Sequence, residues 1–407
     1  MAAVTKRDKR NAQVAVIGGG PAGLTAAIAL GAAGIDTVLV AKRHSQEDHR
    51  TTALLLGSVT ALDALGVWKR CLDRAAPLRA MRIVDDTGRL LRAPEIKFEA
   101  SEIGLDAFGY NLENRHLLAA LDARTGELPA ITRLEDEARS LDISEGGVTI
   151  ALTGGGDISA RLVIGADGRR SRCRIAAGIE SDGQAYPQTA LTFNLGHARP
   201  HQNISTEFHT RAGPFTLVPL PGQRSSLVYV TDPATARRLA EMDDDALAGE
   251  LETRAHSILG KFTIEPGRGV FSLARQTARC FGARRVALVG EAAHVLPPIG
   301  AQGLNLGLRD AAMIAEIVVE ARHHGTDIGN TAVLARYNDS RRPDVVSRML
   351  AVDLLNRTLL SDFLPLQGAR HLSFSLLDRI APLRQAIMRE GVAPAASQPR
   401  LMRGEAL

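Results

Sequence analysis

"QVAVIGGGPAGLTAAIALGAAGIDTVLVAKR", Gln13 to Arg43, sets the fold of this 407-residue chain. A short apolar run, Val14 to Ile17, meets a cluster of glycines. An alanine-rich stretch follows to about Ala33, and a second apolar run spans Thr37 to Ala41. Two such strands joined through a helix predict a βαβ unit, whose parallel strands need helices against their faces. The glycines fall as Gly18-x-Gly20-x-x-Gly23, where strand turns into helix. The first allows the tight turn, the second leaves room for a pyrophosphate against the backbone, and the third brings helix close to strand. The opening N–H groups of the helix then face the phosphates with partial positive charge. A dinucleotide site is expected here. A ribose-binding acid should stand about 20 residues on, yet Ala41, Lys42 and Arg43 occupy the end of the second strand. That contact is left to Glu47, Asp48, or backbone and water.

The composition fits an ordinary globular protein, with 45% hydrophobic and 23% charged residues. The length exceeds what one hydrophobic core fills, so two or more lobes are expected. The formal charge is only +4, and the basic residues sit in short groups (Lys6 to Arg10, Arg169 to Arg174, Arg341 and Arg342). No basic stripe suited to nucleic acid results. The three cysteines, Cys71, Cys173 and Cys280, are odd in number and far apart. A reducing compartment without a disulfide framework is expected, and, with the run Asn11 to Ile35 read as strand, turn and helix, a cytoplasmic protein. "KRDKR" ahead of the uncharged run Asn11 to Ile35 imitates a signal peptide or membrane anchor, but the glycine spacing assigns that run to strand, turn and helix. No metal site is expected: "HSQEDH", His44 to His49, reads as a solvated loop, and no nucleophile motif is present.

Helical spacing of apolar residues is read over Thr51 to Trp68 and again from Asn114 through Leu117, Leu118 and Leu121. "VTIALTGGGDISARLVIGADG" predicts a hairpin leading into a strand, Leu162 to Ile164. Between Gln188 and Val230 the texture changes to short strand-like runs separated by turn residues, which predicts an antiparallel sheet. The parallel-sheet texture returns at Arg284 to Gly290. The dinucleotide lobe is therefore expected in three parts, 1–75, 106–182 and 276–348. Pieces of a substrate lobe, 76–105 and 183–275, interrupt it, and 349–407 forms a helical, amphipathic region whose last dozen residues fray.

"GEAAHVLPPIGAQGLNLGL", Gly290 to Leu308, reads as a strand end, a stiff loop and a helix start. Glu291 is placed to meet a ribityl hydroxyl, Pro297 and Pro298 stiffen the loop, and Gly300 to Asn305 begin the helix. A main chain bare of side chains lets a flat ring approach, and the helix start would stabilise negative charge on a reduced isoalloxazine. His294 is expected to hydrogen-bond backbone rather than carry protons.

"VAVIGGGPAGL", "ARLVIGADGRRSRCR" and "VALVGEAAHVLPPIGAQGLNLGLRDA" resemble the three fingerprints of the FAD-dependent aromatic hydroxylases with the para-hydroxybenzoate hydroxylase fold. With "DHRTTALLLGSVTALDALGVW", "GPFTLVPLPG" and "SLVYV", the chain most resembles the branch that hydroxylates polyprenyl-phenols in ubiquinone biosynthesis. The resemblance covers roughly residues 13 to 350. Two departures stand out: Glu291 where the wider family has Asp, and "GAQGLN" for the commoner "AGQGLN". Neither removes an essential group.

The resemblance implies an α/β fold in which an FAD-binding Rossmann-like domain is interrupted by an antiparallel-sheet substrate domain, followed by carboxyl-terminal helices. It implies cofactor contacts at Gly18, Gly20, Gly23, Arg50, Asn114, Asp167, Gly168, Glu291, Gly300, Gln302, Gly303, Leu304 and Asn305. Pro298 and Gly300 would lie beside the reacting atoms, with no acid or base assigned. Phe193, Phe215, Leu217 and Pro219 are candidate substrate-wall residues. FAD would be held tightly and NAD(P)H would visit transiently, because there is no second GxGxxG. O2 would supply the oxygen through a flavin C4a-hydroperoxide. The implied substrate is a prenylated phenol. The carboxyl-terminal segment is a candidate for peripheral contact at the inner face of the membrane or for a quinone-biosynthesis complex, although a buried helix pair explains the same pattern. The oligomeric state is open. Rival readings are a hydroxylase of a soluble phenol, a flavin reductase acting on isoprenoid double bonds, and a flavin-fold interaction protein without catalysis.

Overall fold

The first strand, β1 (Lys9–Ile17), runs into helix α1 (Pro21–Ala32) and returns as β2 (Thr37–Val40). The two strands are parallel, with Val14 opposite Thr37. On its other side β1 pairs in parallel with the strand Asp157–Gly165, Val14 opposite Leu162. Side chains on both faces of these strands are buried, which explains their unbroken apolar runs. In the computed structural model of the chain, residues 9–43, 48–89, 92–298, 300–360, 379–392 and 398–407 are described. Glu47, the start of the His44 to His49 stretch and Ile299 lie outside them. Among the described residues this sheet has the order Gly282–Ala283, Val286–Leu288, Asp157–Gly165, β1, β2, Ile131–Leu134, with Ala138–Ile143 and Val148–Leu152 attached as antiparallel strands.

A second sheet is built from segments that interrupt the first. Its main strands run Gly269–Ala278, Ser181–His197, Arg224–Thr231, Pro214–Leu220, Ile204–His209, Ala80–Asp85 and Ile96–Glu99. All neighbours along that path are antiparallel except Ile204–His209 beside Ala80–Asp85. Alternation divides its residues between two faces. Leu191, Phe193, Phe215, Leu217, Leu227 and Tyr229 form one core with the helices Pro233–Glu241 and Asp244–Arg254. Each of these helices starts on an aspartate: Asp232 accepts from the N–H groups of Ala234 and Thr235, and Asp243 from that of Ala246. The other face, with Ala190, Thr192, Asn194, Ser226 and Val228, turns toward the first sheet's cleft.

Two sequence expectations are corrected, and one pairing is new. Thr51–Leu55 is a strand, and only Leu56–Ala64 is helical. The strand pairs antiparallel with Gly109–Glu113 so closely that a Cβ on Gly109 would lie 1.9 Å from the Leu54 carbonyl oxygen. The carboxyl end is not frayed. Arg400–Arg403 forms a short helical turn, Leu401 and Met402 are buried in the main core, and the Arg400 N–H donates to Glu316 at 2.7 Å. His294–Val295, in the third fingerprint, pairs with Gln276 and Thr277 and so joins the loop to the second sheet.

Candidate active site

The three glycines of the first fingerprint divide between packing and space. Gly18 has φ +116°, and a Cβ there would lie 2.2 Å from the Ala166 carbonyl oxygen. A Cβ on Gly23 would meet the Gly18 carbonyl oxygen at 2.2 Å. Both residues are therefore glycine because main chain meets main chain. Gly20 is different: it caps α1, and a Cβ built on it would have no protein atom within 4 Å. No side chain caps α1 and no acidic residue stands in its first turn, so its opening N–H groups face that space. Gly18, Gly19, Ala41, Glu137 and Asp167 line a cleft of about 400 Å³ at this end of the sheet. Ala41 is buried, as a strand residue should be, and offers no carboxylate. Asp48 does not line this cleft, and Arg50 holds it through two bonds of 2.8 and 2.7 Å. Among the acids that line the cleft is Glu137, which pairs with Lys42 at 2.9 Å. Sequence reading misses it because it follows a different strand, Ile131–Leu134, that neighbours β2 only in the fold.

In the second fingerprint Asp167 has two roles. One oxygen accepts from the N–H groups of Arg172 and Cys173, at 2.7 and 3.1 Å, and caps the short helix Arg172–Ala176. The other oxygen is buried with no partner among the described residues. Gly168, with φ +76°, has open space at its Cβ position. Arg174 ties this turn to the third fingerprint by donating to the Ala292 carbonyl at 2.9 Å. Burial pushes the Cys173 thiol well up, as it pushes Cys71 to about 11, so neither supplies a thiolate at neutral pH.

The third fingerprint brings two helix starts together. A Cβ on Gly307 would lie 3.1 Å from the Gly290 Cα and 3.4 Å from the Ala22 Cβ. The helix Gln302–His323 thus begins against the start of α1. It is entered through Gly300, φ +64°, and Ala301, a non-glycine residue held at φ 53°. Gly300 and Gly303 have no atoms near their Cβ positions, so the main chain there is bare. Leu304 packs on the core. The Asn305 side chain is bonded within the fold: its Oδ1 accepts from the Leu55 N–H, and its Nδ2 donates to the carbonyls of Ala53 and Ala301. Gln302 is likewise engaged, with the Gly300 carbonyl and Arg348. Both hold the helix start in place and leave main-chain groups to meet a ligand.

Between this loop and the open face of the second sheet lies a cavity of about 420 Å³. Pro297, Pro298 and Glu291 line it from the loop, and Arg50 and Arg169 from the cofactor side. Asn114 reaches Asp48 at 3.5 Å, and its Oδ1 is buried without a partner among the described residues. Arg50 also lies 5.8 Å from the centre of the Phe271 ring, an exposed aromatic in the cavity wall that sequence reading does not single out. Of the expected substrate-wall residues, Phe193 borders the cavity, but its side chain belongs to the helix-covered core. Phe215 and Leu217 are corrected outright. Strand alternation turns them into that same core, away from the cavity. Pro219 is buried and its carbonyl accepts from Asn111 at 2.9 Å.

His294 is also corrected. Its Nε2 sits 2.6 Å from Asp310 rather than against backbone. Asp310 accepts as well from the Gly290 N–H at 3.0 Å and pairs with Arg341 at 2.7 Å, and Arg341 passes the contact to Asp344 at 2.8 Å. All of His294, Asp310 and Arg341 are buried. Burial alone would raise the Asp310 carboxyl, but the charges of His294 and Arg341 outweigh it and hold the carboxyl below its usual range. Asp344, opposed by burial and stabilised by Arg341 and Arg309, is held low in the same way. Carboxyls with depressed folded values stabilise above about pH 4, and that stabilisation is lost as pH falls through the folded values. The melting temperature should therefore drop on acidification below about pH 4, and the drop should be smaller in Asp344→Asn. Circular dichroism melts across the acid range check this; parallel curves for the two proteins would contradict it.

Residues 11–351 match the FAD binding domain family. The chain belongs to that family. The residues present fit FAD: open space at Gly20, uncapped helix starts, unpartnered buried oxygens on Asp167 and Asn114, and bare main chain at Gly300 and Gly303. The chain is 35% identical to the ubiquinone hydroxylase UbiL of Rhodospirillum rubrum, over 98% of its own length and 95% of that protein's. It is 30% identical to the 3-demethoxyubiquinol 3-hydroxylase of Escherichia coli, over 92% and 97% of the two chains. The p-nitrophenol 4-monooxygenase of Pseudomonas putida superposes with a TM-score of 0.78, covering 95% of this chain and all of that one, at 21% identity. That last likeness is one of fold. The residues that would hold FAD are Gly20 at the start of α1 and the bare main chain at Gly300 and Gly303.

Proposed function

We propose that the chain hydroxylates a prenylated phenol of ubiquinone biosynthesis, with tightly held FAD, NAD(P)H as a transient reductant and O2 as the oxygen source. The observation that carries this reading is the cavity between the flavin loop and the open sheet face, where a ring can lie against Pro297 and Pro298. The names of the relatives at 30% identity and above that carry a stated activity support the substrate class. FAD, when bound, supplies the redox and oxygen chemistry. The chain's residues bind, orient and shield. The start of Gln302–His323 presents N–H groups and partial positive charge where the ring gains electrons. The two prolines stiffen the loop, and the sheet face forms the wall opposite it, so that a ring bound between them displaces water.

A polyprenyl tail needs an apolar way in. None of the described helices is long and apolar enough to cross a membrane. Leu350, Ile380, Leu383 and Ile387 nevertheless expose apolar side chains at the carboxyl-terminal helices, and peripheral contact with a lipid surface is proposed there.

Incubating the purified flavoprotein with NAD(P)H, O2 and a prenylated phenol should yield a product one oxygen atom heavier by mass spectrometry. A short-chain phenol should be turned over less well. NAD(P)H oxidation without an oxygenated product from either ring would contradict the reading.

A further inference from the structure

The face of the strand Ser181–His197 that meets the cavity is not apolar. Thr192 and Asn194, two residues apart on that face, both line the cavity. Asn194 is buried, at 2% exposure. Its Nδ2 donates to the His49 carbonyl at 3.0 Å. A carbonyl only accepts, so this bond fixes which way the amide points. Its Oδ1 is left buried with no partner among the described residues, and so is the hydroxyl of Thr192. Opposite Thr192 stands Gly269, where a Cβ would lie 3.3 Å from the Thr192 hydroxyl and 2.6 Å from the Phe271 ring. The glycine lets that ring fold down beside the hydroxyl. Most buried side-chain polar atoms in native proteins are paired, and two unpaired ones two residues apart in one cavity wall are placed to be paired by a ligand.

We propose that Asn194 Oδ1 is the acceptor for a ring hydroxyl of the substrate, with the Thr192 hydroxyl bonding a second oxygen on the same ring. This rests on the cavity being the ring's site, as read above. An amide oxygen only accepts, so the substrate must enter with its hydroxyl protonated and donating. A methyl ether at that position lacks the proton and leaves Oδ1 unpaired. The strand therefore selects free phenols and hydroquinones over their ethers and over quinones, a choice the prolines and Phe271 cannot make. Asn194 and Thr192 act here as specificity-determining residues, separate from the flavin contacts.

Direct binding of ortho-prenylphenol and of its methyl ether to the oxidised flavoprotein, measured by calorimetry, tests this. The wild type should prefer the phenol by about ten- to a hundredfold. Asn194→Ala should bring the two ligands within about threefold of each other, mainly by weakening the phenol. Thr192→Val, which keeps the shape of the side chain, should keep the preference and weaken a ring with two adjacent hydroxyls. Retained flavin absorption in each variant shows that the fold and the cofactor site persist. Equal binding of phenol and ether to the wild type, or an unchanged preference in Asn194→Ala, overturns the inference and leaves the function standing. Failure of both ligands to bind the wild type overturns the inference together with the reading of the cavity.

Discussion

Gly20→Ala should purify folded but with little FAD, its affinity lowered about ten- to a hundredfold, whereas Gly18→Ala should lose stability as well as cofactor. The two glycines sit two residues apart in one turn and differ in what surrounds them. A methyl group at Gly20 meets no protein atom within 4 Å, so it disturbs only whatever occupies that space. As a helix cap, alanine is poorer than glycine by about 1 kcal/mol or less, which bounds the loss of stability. A methyl group at Gly18 would lie 2.2 Å from the Ala166 carbonyl oxygen, at φ +116°. That conformation alone costs an L-residue on the order of 1–3 kcal/mol, and the clash adds to it. Flavin content of the purified variants and their urea midpoints separate the two effects. Full FAD occupancy in Gly20→Ala would mean that the open space is not where the pyrophosphate lies.

Asp310→Ala should destabilise by about 3–5 kcal/mol, because it leaves the buried His294 without its carboxylate and takes from the buried Arg341 one of the two carboxylates it pairs with, Asp344 remaining. It also removes the acceptor for the Gly290 N–H, the residue on which the third fingerprint turns. Asp310→Asn keeps an acceptor for that N–H but not the charge, and should lose less. The depressed carboxyl of Asp310 gives the same sign: a charge the fold holds in place cannot be removed without cost. Denaturant midpoints measure the difference. A loss below about 1 kcal/mol in Asp310→Ala would show that the buried pairs contribute nothing net, as some buried ion pairs do.

The glycine turns were legible because they are local: a φ above zero or main chain touching main chain admits one residue type wherever it occurs. The course of β1, α1 and β2 was legible for the same reason, through periodicity and turn residues. What a side chain touches across the fold was not. Asn305 stands in a family motif, yet its amide is spent on Ala53 and Leu55, some 250 positions earlier. Asp310 looks like an ordinary helix residue until the fold sets it beside His294 and Arg341. Alternation predicts that Phe215 and Leu217 share a face, but not which face meets the cavity. The apolar face went to the helices Pro233–Glu241 and Asp244–Arg254, and the mixed face, with Thr192 and Asn194 beside Ala190 and Val228, lines the cavity.

The rest depends on FAD lying along Gly20 with its ring at the bare main chain of Gly300 and Gly303. Titrating FAD into flavin-stripped protein, with flavin fluorescence as the signal, tests this most directly. Saturation at one FAD per chain, with the fluorescence quenched and the visible band of a bound flavin recovered, is the expected result. Fluorescence that rises in proportion to added FAD, with no saturation, would mean that the cleft and the loop do not form a flavin site.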